Sequence, residues 1–184
     1  MSEISLENIK YSLQKLLVGE LFGNIENQTA ILEEKDSSTN LKNVKIVGIP
    51  DDSILIKIDY GRPCENFRSE HGQRKRCDYL LITTNNNNKK VLLFVEMKSK
   101  TTNQNEIVQK FLASECLLDY IASMLKHFHD TDFNPDECKK RFIIFQNKRL
   151  DKKQIHLKQN GSKPNDYISV KFDPNNPPTL KSLS

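Results

Sequence analysis

The sequence predicts an α/β fold of the mixed α+β kind, a central mixed β-sheet flanked by helices in the order αβββαβ. Three observations predict it. Two short apolar runs, residues 77–82 and 91–98, are separated by Thr83-Thr84-Asn85-Asn86-Asn87-Asn88-Lys89-Lys90. Strand-forming residues bounded by asparagines that tolerate positive φ read as a hairpin. Residues 104–128 then repeat apolar side chains over a broad helical face, the width needed to lie on a sheet. Finally, Phe142-Ile143-Ile144-Phe145 is a continuous apolar run, typical of a strand covered on both faces. A hairpin that feeds a helix and then a buried strand implies a mixed sheet.

The elements follow in order. Ile4, Ile9, Leu13, Leu16, Leu17 and Leu21 recur at three- and four-residue steps, so residues 4–21 are expected to form an amphipathic helix that stops at Gly23-Asn24. Residues 24–52 are polar and mixed, with a short strand expected at 44–49 and a turn at Pro50-Asp51-Asp52. Ile54-Leu55-Ile56-Lys57-Ile58 is the next strand. The polar, basic segment 64–76 reads as a long loop, and loops of that length in a compact domain tend to be functional. The hairpin, the long helix, the strand at 141–145 and one more at 168–172 complete the list. The expectation is a single domain over residues 1–172, followed by a flexible, Pro- and Asn-rich tail at 173–184.

Composition excludes several classes. Gly is scarce, at six residues in 184, and no glycine-rich phosphate loop or nucleophile elbow occurs. No run of apolar residues approaches a membrane span, and the first residues lack the basic start and apolar stretch of a signal peptide. A cytoplasmic location and no membrane partner are therefore expected. Cys64, Cys77, Cys116 and Cys138 form no CxxC, which argues against a zinc ribbon or a redox dithiol. His127-Phe128-His129-Asp130 lacks helical ligand spacing. Net charge is a mild +4, from 28 basic and 24 acidic residues, so its distribution says more than its size. Arg68, Arg74, Lys75 and Arg76 precede Asp78, while Lys139, Lys140, Arg141, Lys148, Arg149, Lys152 and Lys153 bracket the later apolar run. Such clusters suit phosphate neutralisation.

The chemistry concentrates in the hairpin. If it folds about Asn87, Asp78 faces Glu96, and opposed side chains lie about 5 Å apart at Cβ. Lys98 is two residues past Glu96 and therefore on the same face of the strand. Two carboxylates and a lysine on one face suit a divalent metal and proton transfer. Carboxylates are the hard oxygen ligands that Mg²⁺ or Mn²⁺ takes.

Asp78 and Glu96-Met97-Lys98, set in this element order, resemble the PD-(D/E)XK nuclease superfamily, whose fold is restriction-endonuclease-like. The resemblance covers about residues 4 to 146 by element order, and residues 78–98 by motif. The name-giving proline is absent, since Cys77 precedes the aspartate. The resemblance implies Asp78, Glu96 and Lys98 as catalytic residues, with Asp78, Glu96 and the backbone carbonyl of Met97 as metal ligands. It would match Glu20 to an accessory acid on the first helix, and Gln104 or Gln109 to a glutamine on the helix after the lysine. It further implies a Mg²⁺- or Mn²⁺-dependent nuclease, with an endonuclease acting on DNA as the expectation. Cutting both strands would need two sites, which points to a homodimer, or a partner protein could supply target choice instead. The basic residues Arg68, Arg74, Lys75, Arg76, Lys148 and Arg149 would bind nucleic acid. The alternative is a nucleic-acid-binding or structural subunit that keeps the fold without the activity.

Overall fold

The computed structural model describes residues 4–33, 41, 43–61, 66–98, 103–146 and 160–184. Helix α1 (Leu6–Leu16) starts where the Ser5 hydroxyl accepts from the Asn8 N–H at 3.2 Å, a side-chain N-cap. It ends sooner than the periodicity suggests. Leu17 is extended, and a separate 3₁₀ turn covers Gly19–Leu21. The chain then joins a sheet: Phe22 bridges Ile56, and the Gly23 N–H donates to the Leu55 carbonyl at 2.8 Å. Leu21 thus packs on the core from a turn, and its helical spacing is incidental.

Residues 24–47 carry more order than their polarity suggests. β1 (Asn24–Glu26), β2 (Thr29–Glu33) and β3 (Asn43–Val47) form an antiparallel sheet. Asn27 and Gln28 both take positive φ, 49° and 57°, the geometry of a two-residue hairpin turn. Ala30 and Leu32 in β2 and Val44 and Ile46 in β3 are fully buried, so one face of this small sheet is core.

The larger sheet is mixed. β4 (Ile54–Lys57), β5 (Tyr79–Thr84) and β6 (Lys90–Lys98) form an antiparallel meander, β4 with β5 and β5 with β6. The chain then passes through α2 (Gln104–His129) to β7 (Lys139–Gln146), which pairs parallel with β6. β8 (Ile168–Lys171) adds a parallel edge. The spatial order is β4-β5-β6-β7-β8. Strand side chains alternate between faces, and the two faces build two cores. Leu80, Ile82, Leu92, Phe94, Phe142 and Ile144 pack against α1 and α2. Leu81, Leu93, Val95, Ile143 and Phe145 pack against the small sheet. The result is three layers: helices, large sheet, small sheet. Among the described residues no helix is long and apolar enough to cross a membrane.

The expected flexible tail is corrected. Leu180 and Leu183, in the short helix α3 (Leu180–Leu183), are each 4% exposed and belong to the second core. The Val47 N–H donates to the Pro178 carbonyl at 3.0 Å. Proline and asparagine content concealed two leucines at helical spacing that close the core between the two sheets at the β3 edge.

Candidate active site

The hairpin register places the first acids. Tyr79 pairs with Val95, so one step further sets Asp78 across from Glu96. Both lie on the face that carries Leu80, Leu92 and Phe94, the helix side. One more step would put Cys77 opposite Met97, and there the strands part. The Cys77 N–H donates to the Ser114 hydroxyl on α2 at 2.9 Å. The Met97 N–H donates to Asp78 Oδ2 at 2.6 Å. A carboxylate has replaced a ladder partner, and β5 leaves β6 at that point. N–H and C=O of one strand residue point the same way, so the Met97 carbonyl faces the same notch. The Met97 side chain is on the opposite face, in the second core.

Glu96 is the centre of the cluster. Its side chain is fully buried, and Oε1 accepts from Lys98 Nζ at 2.6 Å and from Lys110 Nζ at 2.7 Å. Its other oxygen, Oε2, is buried with no hydrogen-bond partner among the described residues. A buried carboxylate is costly unless paired, and an unsatisfied buried oxygen costs a further 1–3 kcal/mol or so. Lys98 retains 23% side-chain exposure and Lys110 14%, so the cluster opens toward solvent on the lysine side.

Charge shapes the rest. Burial pushes the Asp78 carboxyl up to about 7, and the neighbouring Glu96 charge adds to this. Lys110, the Met97 N–H and Lys98 pull in the opposite direction. Burial lowers the Lys110 ammonium, but Glu96 and then Asp78 outweigh it, so its net shift is upward; Asp59 contributes to the same end. The Cys77 thiol is raised by burial and is a small core side chain. Thus two acids and two lysines share one small volume. An additional hard cation suits them: Glu96 offers an orphaned oxygen, and Asp78 is held with its charge disfavoured. Among the described residues no group of three or more His, Cys, Asp and Glu side chains converges. Two carboxylates and a carbonyl are nevertheless a sufficient protein share for an ion that keeps several waters.

The structure brings Asp78, Glu96 and Lys98 together, and adds Lys110, which the sequence reading did not single out. Lys110 lies three residues from Ile107 and four from Ser114, both buried. Lysine on a buried helical stripe is the signal that was present. Asp59, just past β4, was likewise not singled out.

The accessory residues are placed elsewhere. Gln109 turns to the 66–76 loop, accepting from Lys75 Nζ at 3.2 Å. Gln104 is exposed at the start of α2. Glu20 is exposed and accepts from the Tyr60 hydroxyl at 3.4 Å. Of the basic residues, Arg68 is exposed beside Glu70 and Arg74 is exposed while donating to the Phe67 carbonyl. Arg76 requires correction as a phosphate contact. It is 3% exposed and donates to the Gln73 carbonyl at 2.8 Å and to the Lys75 carbonyl, so it holds the loop's own backbone. Lys148 and Arg149 lie outside the described residues. Lys140 is drawn into ion pairs with Glu115 and Asp136 at 3.2 and 3.0 Å.

Comparison with protein-family models, with curated proteins and with solved structures finds no match to this chain.

Proposed function

We propose that the protein is a metal-dependent nuclease that hydrolyses phosphodiester bonds, with DNA as the expected substrate. The observation that carries the reading is Glu96. It is a fully buried carboxylate with one oxygen held by two lysines, the other unsatisfied, and Asp78 beside it. A core built only for stability has no use for that arrangement, because apolar residues of similar volume are as stable or more so. The order β4-β5-β6-α2-β7, with α1 earlier in the chain and the β1–β3 sheet inserted between α1 and β4, supports the finer reading of a restriction-endonuclease-like core within the mixed α/β fold.

Asp78, Glu96 and the Met97 carbonyl would hold Mg²⁺ or Mn²⁺. When bound, such an ion supplies Lewis-acid polarisation of a phosphoryl oxygen and acidifies water. The chain's own residues do the remainder. Met97 N–H fixes the Asp78 carboxylate against β6. Lys110, the more enclosed lysine, keeps the Glu96 side chain in place. Lys98, the more exposed one, orients the attacking water as a hydrogen-bond donor, or neutralises charge that builds on the phosphorus-bound oxygens. Arg68, Arg74 and Lys75 steer flanking phosphates. Cutting both strands of a duplex needs two such sites, hence a homodimer; a partner protein would instead supply target choice.

One observation favours a second reading, a nucleic-acid-binding or structural subunit without hydrolysis. Both lysines sit on one Glu96 oxygen, which leaves the cluster close to electrically balanced without any added ion. Incubation with plasmid, linear and single-stranded DNA and with RNA, in Mg²⁺, Mn²⁺ or EDTA, separates the two. Metal-dependent cleavage that EDTA abolishes supports the nuclease. Binding without cleavage under every condition leaves the second reading.

A further inference from the structure

The 66–76 loop and the outer face of α2 enclose an apolar groove of about 700 Å³. Phe67 and His71 line it from the loop, and Leu112, Leu117 and Tyr120 from the helix. Phe67 is 56% exposed, Leu112 49% and Tyr120 62%. Large apolar side chains gathered along one exposed groove mark a binding surface, whereas scattered ones do not. None of the described residues that line it is Asp or Glu. The loop forming its wall carries Arg68, Arg74 and Lys75 against a single acid, Glu70, which sits 3.9 Å from Arg68, so the occupant that matches it is aromatic or apolar in its body and anionic along its edge.

The groove and the candidate active site share two elements, the 66–76 loop and α2, and take different faces of the helix. Gln109 lines the groove and accepts from Lys75 Nζ at 3.2 Å. The next residue, Lys110, holds Glu96. The loop itself runs two residues past Arg76 into Asp78. The loop is thus the link between the two, and a strand of nucleic acid laid along it would offer phosphates to its basic residues and a base to the groove.

We infer that this groove stacks an unpaired base of single-stranded nucleic acid, which makes single strands the preferred substrate class of the neighbouring site. The inference rests on the nuclease reading for what lies at the Asp78 end. Aromatic side chains hold bases of any sequence by their π-faces, and a basic track holds the backbone. A base paired within a duplex presents no free face to such a groove.

The test reads binding without hydrolysis. A short single-stranded DNA carrying 2-aminopurine is titrated with the full chain in EDTA, beside a duplex of the same sequence. The single strand is expected to bind more tightly, with its fluorescence quenched by stacking. Phe67→Ala and Tyr120→Ala are each expected to weaken it about tenfold, the scale of losing one base–aromatic stack. Both side chains are exposed, so folding is expected to survive; circular dichroism checks this. Equal binding of duplex and single strand, or variants that bind as wild type, would overturn the inference. So would a dimer in sedimentation that Leu112→Asp converts to monomer, since a second copy would then fill the groove. Quenched binding with no cleavage of any substrate would overturn the nuclease reading alone. Cleavage that the groove variants leave unchanged would overturn the groove alone.

Discussion

A single oxygen atom organises the candidate site. Glu96 Oε1 takes two ammonium groups, and among the described residues Oε2 takes none. Removing one partner of a buried ion pair costs about 3–5 kcal/mol, because a charge is left uncompensated. Lys98 remains on Glu96 when Lys110 is lost, so Lys110→Met should fall at the low end, about 3 kcal/mol by urea denaturation. An unchanged midpoint would mean that Lys110 contributes nothing to holding Glu96. Asp78 makes a pH prediction with a definite sign. Its carboxyl is pushed up to about 7 in the folded chain, against an ordinary value near 4. Between those values the folded state binds the proton that the unfolded state has released. Stability should therefore fall as pH rises from about 4 to 7, and the advantage is gone above 7. Denaturation in EDTA at pH 5 and pH 7.5 measures the fall, and Asp78→Asn should make it smaller. Asp78, Glu96 and Lys98 were legible in sequence because one strand register relates them. Lys110 comes from another element: its place on the apolar stripe of α2 marks it as inward-facing, and only the packing of α2 on the sheet reveals that it meets Glu96.

At the scale of elements, α2 does more than cover the sheet. Ser114 accepts from the Cys77 N–H at 2.9 Å and donates to the Lys110 carbonyl at 2.7 Å. It therefore ties the start of β5 to the helix that supplies Lys110, one residue before Asp78. Ser114→Ala leaves the buried Cys77 N–H without its acceptor, at a cost of about 1–3 kcal/mol. Thermal or urea denaturation should show that loss. An unaltered stability would mean that the strand parts from β6 without needing the helix. The hairpin, α2 and β7 were legible because each is a long or continuous apolar pattern. β1 and β2 were not. Thr29-Ala30-Ile31-Leu32-Glu33 buries only alternate residues, and so short a half-buried strand is hard to tell from a polar loop. Its hairpin turn uses Asn27-Gln28 in place of a glycine-containing pair, which removes the strongest local turn signal.

Across the whole molecule, the large sheet is buried on both faces, and the two sides divide the labour. One face meets the helices and carries the acids and lysines; the other is closed by the small sheet and α3. The C-terminal residues are thus structural. Leu180→Ala removes a side chain that is 4% exposed and should destabilise by about 2–4 kcal/mol; no loss would show that the segment does not close the second core. That closure was invisible in sequence because contact with β3 joins residues far apart in the chain, and composition alone suggested a tail. The central claim is that Asp78, Glu96 and Lys98 hydrolyse phosphodiesters, and the most direct test is the cleavage rate of matched variants. Glu96→Gln keeps the side-chain shape while removing a negative charge, and Lys98→Ala removes the cation beside it. With Mg²⁺ or Mn²⁺ present, each should cut DNA about 10²-fold more slowly than wild type, the scale of losing a preorganised electrostatic or acid–base group, while remaining folded by circular dichroism. Folded variants that cut as fast as wild type would contradict the account.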